Sequence, residues 1–426
     1  MPSTSARWGS TSWPASSGAD VSEFADTGLV FVVVVALAAP ILVDLIPRVR
    51  LPSVVVELAA GIVIGPSVLG WVDLDDVPLQ LLSSIGLAFL LFLAGLEIDL
   101  DRVRDPLSRL AGRAFLLSTA LAAVVGLGLH GLGADGGPLF LAVVLLSTSL
   151  GVVVPVLKDE HEVETDFGQL VMVASSLAEF GSLLLLTLLF STGDSASSPE
   201  VRVLLLVVFA VAAALAGVAI TRTWRSPWLS GALNRLDDTS AQLRVRAAIV
   251  VLVVFVTLAA HLGVEAILGA FVAGALLRAA DGDRDTTHFG TKLEAIGFGF
   301  LVPIFFVTSG VRFDLDALLG SLSALLWVLC FLVGLLVVRA LPCVLYRTRF
   351  GDRRAAVGGV LQATSLSFPV VAAHIGQEIG QLDAETGAAL VAAGLLSVVL
   401  FPAVALALRP WSAPTRETGG RVHRWA

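Results

Sequence analysis

Charge is scarce in this sequence. Asp, Glu, Lys and Arg make up 15% of its 426 residues, against about a quarter in an ordinary soluble domain. So little charge cannot cover the water-facing surface that a soluble chain of this length would expose. Cysteine is nearly absent. The two present, Cys330 and Cys343, fall in one apolar stretch, where the helix between them spans roughly 20 Å. They cannot pair with each other, and no disulfide framework or zinc spacing exists. Basic residues come only in small groups between apolar stretches, which leaves no footprint for nucleic acid. A signal-peptide layout, basic and then apolar, is missing from the Ser- and Trp-rich start. Residues 1–27 are expected to be a flexible extracellular extension.

What abounds is the apolar residue: 56% of the chain is hydrophobic and the mean hydropathy is +0.91. Apolar runs near 20 residues recur. They predict an all-α polytopic membrane protein with about thirteen transmembrane helices within residues 28–408. The expected spans are Gly28–Ile46, Leu51–Trp71, Pro78–Glu97, Leu110–Leu132, Pro138–Leu157, Gly168–Phe190 and Val201–Thr221. They continue with Leu243–Ala260, Val264–Ala279, Leu293–Val311, Leu322–Tyr346, Ala355–Ile375 and Thr386–Leu408.

Lys and Arg in the loops set the orientation. One set of alternate loops carries Arg48 and Arg50, Arg102 and Arg104, Arg109 and Arg113, Lys158, Arg222 and Arg225, Arg278, Lys292, and Arg347 to Arg354. The opposite set carries Asp73, Asp75, Asp76, Asp135, Asp194, Glu378, Asp383 and Glu385, with only Arg202 and Arg312 as positive charges near it. The N-terminus is expected outside and the C-terminus in the cytoplasm. Residues 409–426 are expected to form a short cytoplasmic tail, and no soluble catalytic domain is expected.

One carboxylate stands inside an apolar run, Glu179 in "LAEFGSLLLL" (Leu177–Leu186). A charge facing lipid costs several kcal/mol, so an acid at that depth, roughly 16 Å from its span's cytoplasmic start, implies a function. Two other stretches echo each other: "LLSTSLGVVVPVL" (Leu145–Leu157) and "LQATSLSFPVVAA" (Leu361–Ala373). Each has Thr-Ser-Leu at mid-span followed by a proline, which removes a backbone donor and disturbs the helix before it. Clustered hydroxyls can satisfy the freed groups. The two spans run in opposite directions, and paired broken helices in inverted repeats point to a transporter with a midplane site.

Several stretches in order resemble the second branch of the monovalent cation/proton antiporters: "LPSVVVELAAGIVIGPSVLG" (Leu51–Gly70), "LFLAGLEIDLDRVR" (Leu91–Arg104), "LGAFVAGALLR" (Leu268–Arg278) and "FLVPIFFVTSGVRFDL" (Phe300–Leu315). The resemblance covers Gly28 to Leu408. It implies a dimerisation part interleaved with a mobile core part, two crossed and partly unwound helices, and a likeness in assembly to homodimers. It also implies an acid in the helix after the first broken one. That place reads Ala178-Glu179 here, where the family usually has Asp after Asn, Gln or Asp. Glu is longer by one methylene and Ala178 offers no polar side chain. The family's Lys or Arg before the second broken helix matches Arg339 in "LLVVRALPCVLY".

A carboxylate poised near neutral pH can hold a proton or a metal cation, and that competition suffices for exchange. Glu179 is the expected shared carboxylate, with Ser147, Thr148 and Ser149 supplying further oxygens. Thr364 and Ser365 are expected to line the opposite side. Arg339 is the expected charge partner, and Glu57, at similar depth, is its alternative mate. The expected function is antiport of Na⁺ or K⁺ against H⁺ by alternating access, one for one and electroneutral, in the cell membrane among lipids. No cofactor is expected. The competing readings are a passive cation channel, which needs a hydrophilic lining along a whole span, and a non-transporting sensor or scaffold. His261 and Glu265 flank an outer turn, and His374 reads as a polar helix-end residue.

Overall fold

The computed structural model describes residues 27–44, 53–72, 77–96, 106–190, 199–224, 242–262, 264, 266–281 and 286–408. The N-terminal extension, the C-terminal tail and the loop residues Arg48, Arg50, Asp73, Asp75, Asp76, Glu97, Asp99, Arg102, Arg104, Asp194, Arg225 and Glu265 lie outside the described residues.

Among the described residues, every regular element is helical. The first half of the chain forms α1 (Thr27–Asp44), α2 (Ser53–Ile64), α3 (Val77–Leu96), α4 (Pro106–Gly131), α5 (Pro138–Leu146), α6 (Leu150–Asp159) and α7 (Asp166–Phe190). The second half forms α8 (Pro199–Trp224), α9 (Leu243–His261), α10 (Ala266–Asp281), α11 (Thr286–Ile296), α12 (Val302–Val311), α13 (Leu315–Leu319), α14 (Leu322–Ala340), α15 (Arg347–Gln362), α16 (Ser367–Glu378) and α17 (Ala384–Ala407). Eight described stretches are long and apolar enough to cross a membrane, and four shorter helices are largely apolar.

The irregularities have local causes. Pro342 cannot donate to the carbonyl of Val338, so α14 stops at Ala340 and a tight 3₁₀ turn, Leu341–Tyr346, follows. Gly351 then takes a φ of 80°. That conformation suits glycine and lets the chain reverse into the main part of α15. Between α11 and α12 a π turn, Gly297–Leu301, precedes Pro303, whose missing N–H makes a wide turn tolerable there.

The helices sort into two bundles. α1, α2, α3 and α8 to α12 pack chiefly on one another, and α4 to α7 pack with α14 to α17. Each bundle therefore takes one block from each half of the chain. The short α13 links them, and α7 is the member of the second bundle that packs on α8 and α10 of the first. Phe180 of α7 stacks on Phe271 of α10, with ring centroids 5.2 Å apart.

The first bundle is drawn tight by small residues. A Cβ on Gly61 of α2 would lie 2.1 Å from the Val307 carbonyl oxygen of α12, and one on Gly310 would lie 2.1 Å from that of Leu58. The backbones touch, as small-residue contacts between membrane helices allow. Gly310→Ala is therefore expected to lower the melting temperature of the detergent-solubilised protein, at a cost of about 1–3 kcal/mol from overpacking. Gly112→Ala on α4, where nothing lies within 4 Å, should leave it unchanged or raise it.

Candidate functional site

The second bundle holds two interrupted helices, and they cross. α5 ends at Leu146 and α6 begins at Leu150, with Ser147 and Ser149 extended between them (φ −69°, ψ 156° and φ −93°, ψ 102°). α15 ends at Gln362 and α16 begins at Ser367. The expected breaks are thus at the Thr-Ser motifs. The prolines play unequal parts. Pro369 cannot bond the carbonyl four residues back, that of Ser365, which instead accepts from the Ser397 hydroxyl at 3.0 Å. Pro155 sits inside α6, beyond the break, so the first interruption does not come from its proline.

The breaks bond to each other. Ser149 N–H donates to the Thr364 carbonyl at 2.8 Å. The Ser147 and Ser365 hydroxyls lie 2.6 Å apart, and Thr148 Oγ1 donates to the Gln362 carbonyl at 2.6 Å. Ser365 N–H donates to Ser397 Oγ at 3.0 Å. Several carbonyls and N–H groups left over where helices stop thus find partners in the protein itself, as an apolar interior demands.

Arg339 of α14 reaches this crossing and is only 2% exposed. Its Nε donates to Thr148 Oγ1 at 2.8 Å, Nη1 to Ser118 Oγ at 3.1 Å, and Nη2 to Gln362 Oε1 at 3.1 Å and the Ala174 carbonyl at 3.5 Å. None of these partners is an acid. The guanidinium sits instead beside the C-terminal ends of α5 and α15, whose partial negative charge favours a cation. Burying it still costs several kcal/mol, which the four bonds and the two helix ends offset. The expected pairing with Glu57 is corrected: no ion pair joins them. Glu57 is buried on α2 in the first bundle, bonded to Ser53.

Glu179 lies at the other side of the same break. Its Oε2 accepts from the Leu150 N–H at 3.2 Å, so the carboxylate caps the positive N-terminal end of α6. Its residue is half-buried, at the edge of α7's packed face. Arg339 and Glu179 thus compensate opposite helix ends, with Thr148 and Leu150 between them.

This geometry shows how the hydroxyls of two expected ligands are already engaged. Thr148 Oγ1 is 2.8 Å from a guanidinium, whose positive charge repels a cation at that hydroxyl. Ser147 Oγ is spent on Ser365 and the Val144 carbonyl. Buried hydroxyls without a hydrogen-bond partner are found at Ser175, Ser182 and Thr364. Ser175 and Ser182 stand one turn before and one turn after Glu179, on its side of α7. The sequence reading passed over them as ligands, along with Ser118, Gln362 and Ser397. The i−4 and i+3 spacing from the intramembrane acid was the available signal for the two serines. Ser118, Gln362 and Ser397 gave none, because their partners are far away in the chain.

Crossed, interrupted helices with a caged arginine and an accessible carboxylate, inside an apolar multi-span bundle, define an ion-transporting membrane protein. The sodium/hydrogen exchanger transmembrane family matches residues 33–406. The chain belongs to that family, whose members are multi-pass transporters of the cell membrane and not enzymes. It is 31% identical over 390 residues to the putative Na⁺/H⁺ antiporter YjbQ of Bacillus subtilis, covering 88% of this chain and 61% of the relative. It is 26% identical to the probable Na⁺/H⁺ antiporter 3 of Methanocaldococcus jannaschii, covering 85% of this chain and 91% of the relative. The Na⁺/H⁺-K⁺ antiporter GerN of Bacillus cereus is 27% identical, with 87% and 93% covered. The fold is shared with the sodium proton antiporter MjNhaP1 of M. jannaschii, at a TM-score of 0.62 and 19% identity, over 89% of this chain and 96% of that one.

Arg339→Met is expected to orphan Thr148, Ser118 and Gln362 together. The loss should be on the order of 3 kcal/mol, read as a lowered melting temperature in detergent. Arg339→Lys should recover only part of it, because an ammonium cannot reproduce the planar fork.

Proposed function

We infer that this chain is a secondary antiporter that exchanges a monovalent cation, Na⁺ or K⁺, for H⁺, with Glu179 as the carboxylate that both ions share. The observation that carries the reading is the Glu179 side chain capping α6 at the helix crossing while remaining half-exposed beside the first bundle. The buried hydroxyls of Ser175, Ser182 and Thr364 are available to complete a cation's oxygen shell. Arg339 is occupied in holding the crossing and does not titrate in the working range. One exchanging carboxylate then carries one proton or one cation at a time, and the cycle is electroneutral.

The two bundles supply the moving parts. The crossing lies wholly within the second bundle, so Glu179 and its neighbours can travel as one body against the first. Alternating access needs such a division. An empty, ionised Glu179 would have to move as a bare charge, which is costly, so the loaded forms move and leakage is suppressed. The likeness to sodium/proton antiporters supports the cation class. The loop charges support thirteen crossings with the N-terminus outside. A homodimer through the first bundle is part of the same proposal.

The test is cation-driven pH change inside proteoliposomes. Glu179→Gln keeps the shape and removes the charge, and it should abolish exchange, while Glu179→Asp should retain measurable exchange with altered cation affinity. Unchanged exchange in the Gln variant would sink the assignment. Imposing a membrane potential should leave the parent's rate unaltered; a clear potential dependence would refute one-for-one exchange.

A further inference from the structure

A cavity of about 90 Å³ opens between the two bundles, at the end that the proposed orientation places outside. Ser83 and Ser84 of α3 and Ser309 of α12 face Val370 and Gln377 of α16 across it. Arg312, at the C-terminal end of α12, reaches over to α16. Its Nη1 lies 3.2 Å from Nδ1 and 3.3 Å from Nε2 of His374. The same Nε2 lies 3.3 Å from Oε1 of Glu378, one turn further along α16.

Arginine is a permanent cation, so its contact with the ring is favourable only while the ring is neutral. Nη1 is nearly equidistant from the two ring nitrogens, so the guanidinium lies against the imidazole, a contact that a neutral ring accepts and an imidazolium repels. The other charged groups near it are accounted for. Asp314, beside Arg312, caps α13 by accepting from Ala317 N–H at 2.8 Å. On α17, Asp383 caps its own helix, accepting from Thr386 N–H at 2.7 Å, and Glu385 accepts from Ser321 and Ser323. The described part of α3 at the cavity offers only serines, and α5, which also packs on α16, carries no titratable side chain.

We propose that Arg312 and His374 form a pH-sensitive latch between the two bundles at the mouth of the outer cavity, released when His374 takes a proton. Protonation sets a second positive charge 3.2 Å from the guanidinium, whichever ring nitrogen takes the proton. The hydrogen bond is lost and like charges meet. Glu378 lies on the same helix as His374, so it holds the protonated ring on α16 and away from Arg312. External acid therefore loosens the contact between bundles while leaving each bundle whole. The latch is closed while His374 is neutral and open once it is protonated. It rests on the antiporter reading for its purpose, external control of how readily the bundles part, and it is separate from the competition at Glu179.

The experiment reads distance, without any transport. Nitroxide labels on Ser84→Cys and Gln377→Cys, with Cys330 and Cys343 replaced by Ala, report the width of the cavity by pulsed EPR. The distance should lengthen as pH falls from about 8 to about 5, the interval in which histidine changes charge. His374→Gln, which keeps an acceptor and cannot titrate, should hold the short distance throughout. Arg312→Ala should give the long distance at both ends. A parent that does not respond, or a His374→Gln or Arg312→Ala variant that shifts with pH as the parent does, overturns the latch. Neither result bears on Glu179, and a failed Glu179→Gln test leaves the distance measurement standing.

Discussion

The structure depends on one constraint: helices stop in the middle of a region without water, and the backbone groups they leave behind must be satisfied by protein. Every notable side chain in the second bundle answers to it. The Thr148 hydroxyl takes the loose carbonyl of Gln362 and is itself held by Arg339. Ser397 takes both the N–H and the carbonyl of Ser365. Glu179 takes the first N–H of α6. Arg339 and Glu179 sit at ends of opposite polarity, so a buried and a half-buried charge are each compensated by a helix end. The Glu179 carboxylate is held at a helix N-terminus by the Leu150 N–H and is half-buried, where an exchangeable ion can reach it.

The two bundles differ in how they are made. The first is closed by glycines that bring α2 onto α12 at backbone contact, and Gly95 of α3 and Gly274 of α10 do the same for α3 and α10. Nothing in such packing can slide without a clash. The second is held by the hydrogen-bonded crossing at its centre. Between them the contacts described are side-chain contacts, the stacked Phe180 and Phe271 and the Arg312–His374 bridge. Firm bodies with a thin seam are what a rocking transporter requires, and α7, bearing Glu179, stands on the seam.

Much of this was legible in the residues. Glu179 stood out because an acid is costly in an apolar run, and the Thr-Ser motifs marked both breaks. Arg339 was found by its place before the second break, but its mates were misjudged. Depth along a helix made Glu57 a candidate, whereas the bundle assignment puts that residue in the other half of the fold. Thr148 was expected to hold a cation and instead faces a guanidinium. Pro155 promised to break α5 from α6, yet stands beyond the break. His374 read as an idle helix-end residue, since nothing in the order of residues shows that Arg312, 62 positions away, comes to meet it.

The amino-acid order alone determined that this is a membrane protein, where its helices run, where two of them break, and which acid is out of place. These are local matters, set by hydropathy, by proline and hydroxyl placement, and by the cost of a single charge. Only the tertiary structure decided that the breaks cross, that the arginine cages the crossing rather than pairing with an acid, and which hydroxyls are left unspent. Hydrogen bonds in an apolar interior are allotted by proximity in space, and apolar helices, nearly alike in sequence, do not announce their neighbours.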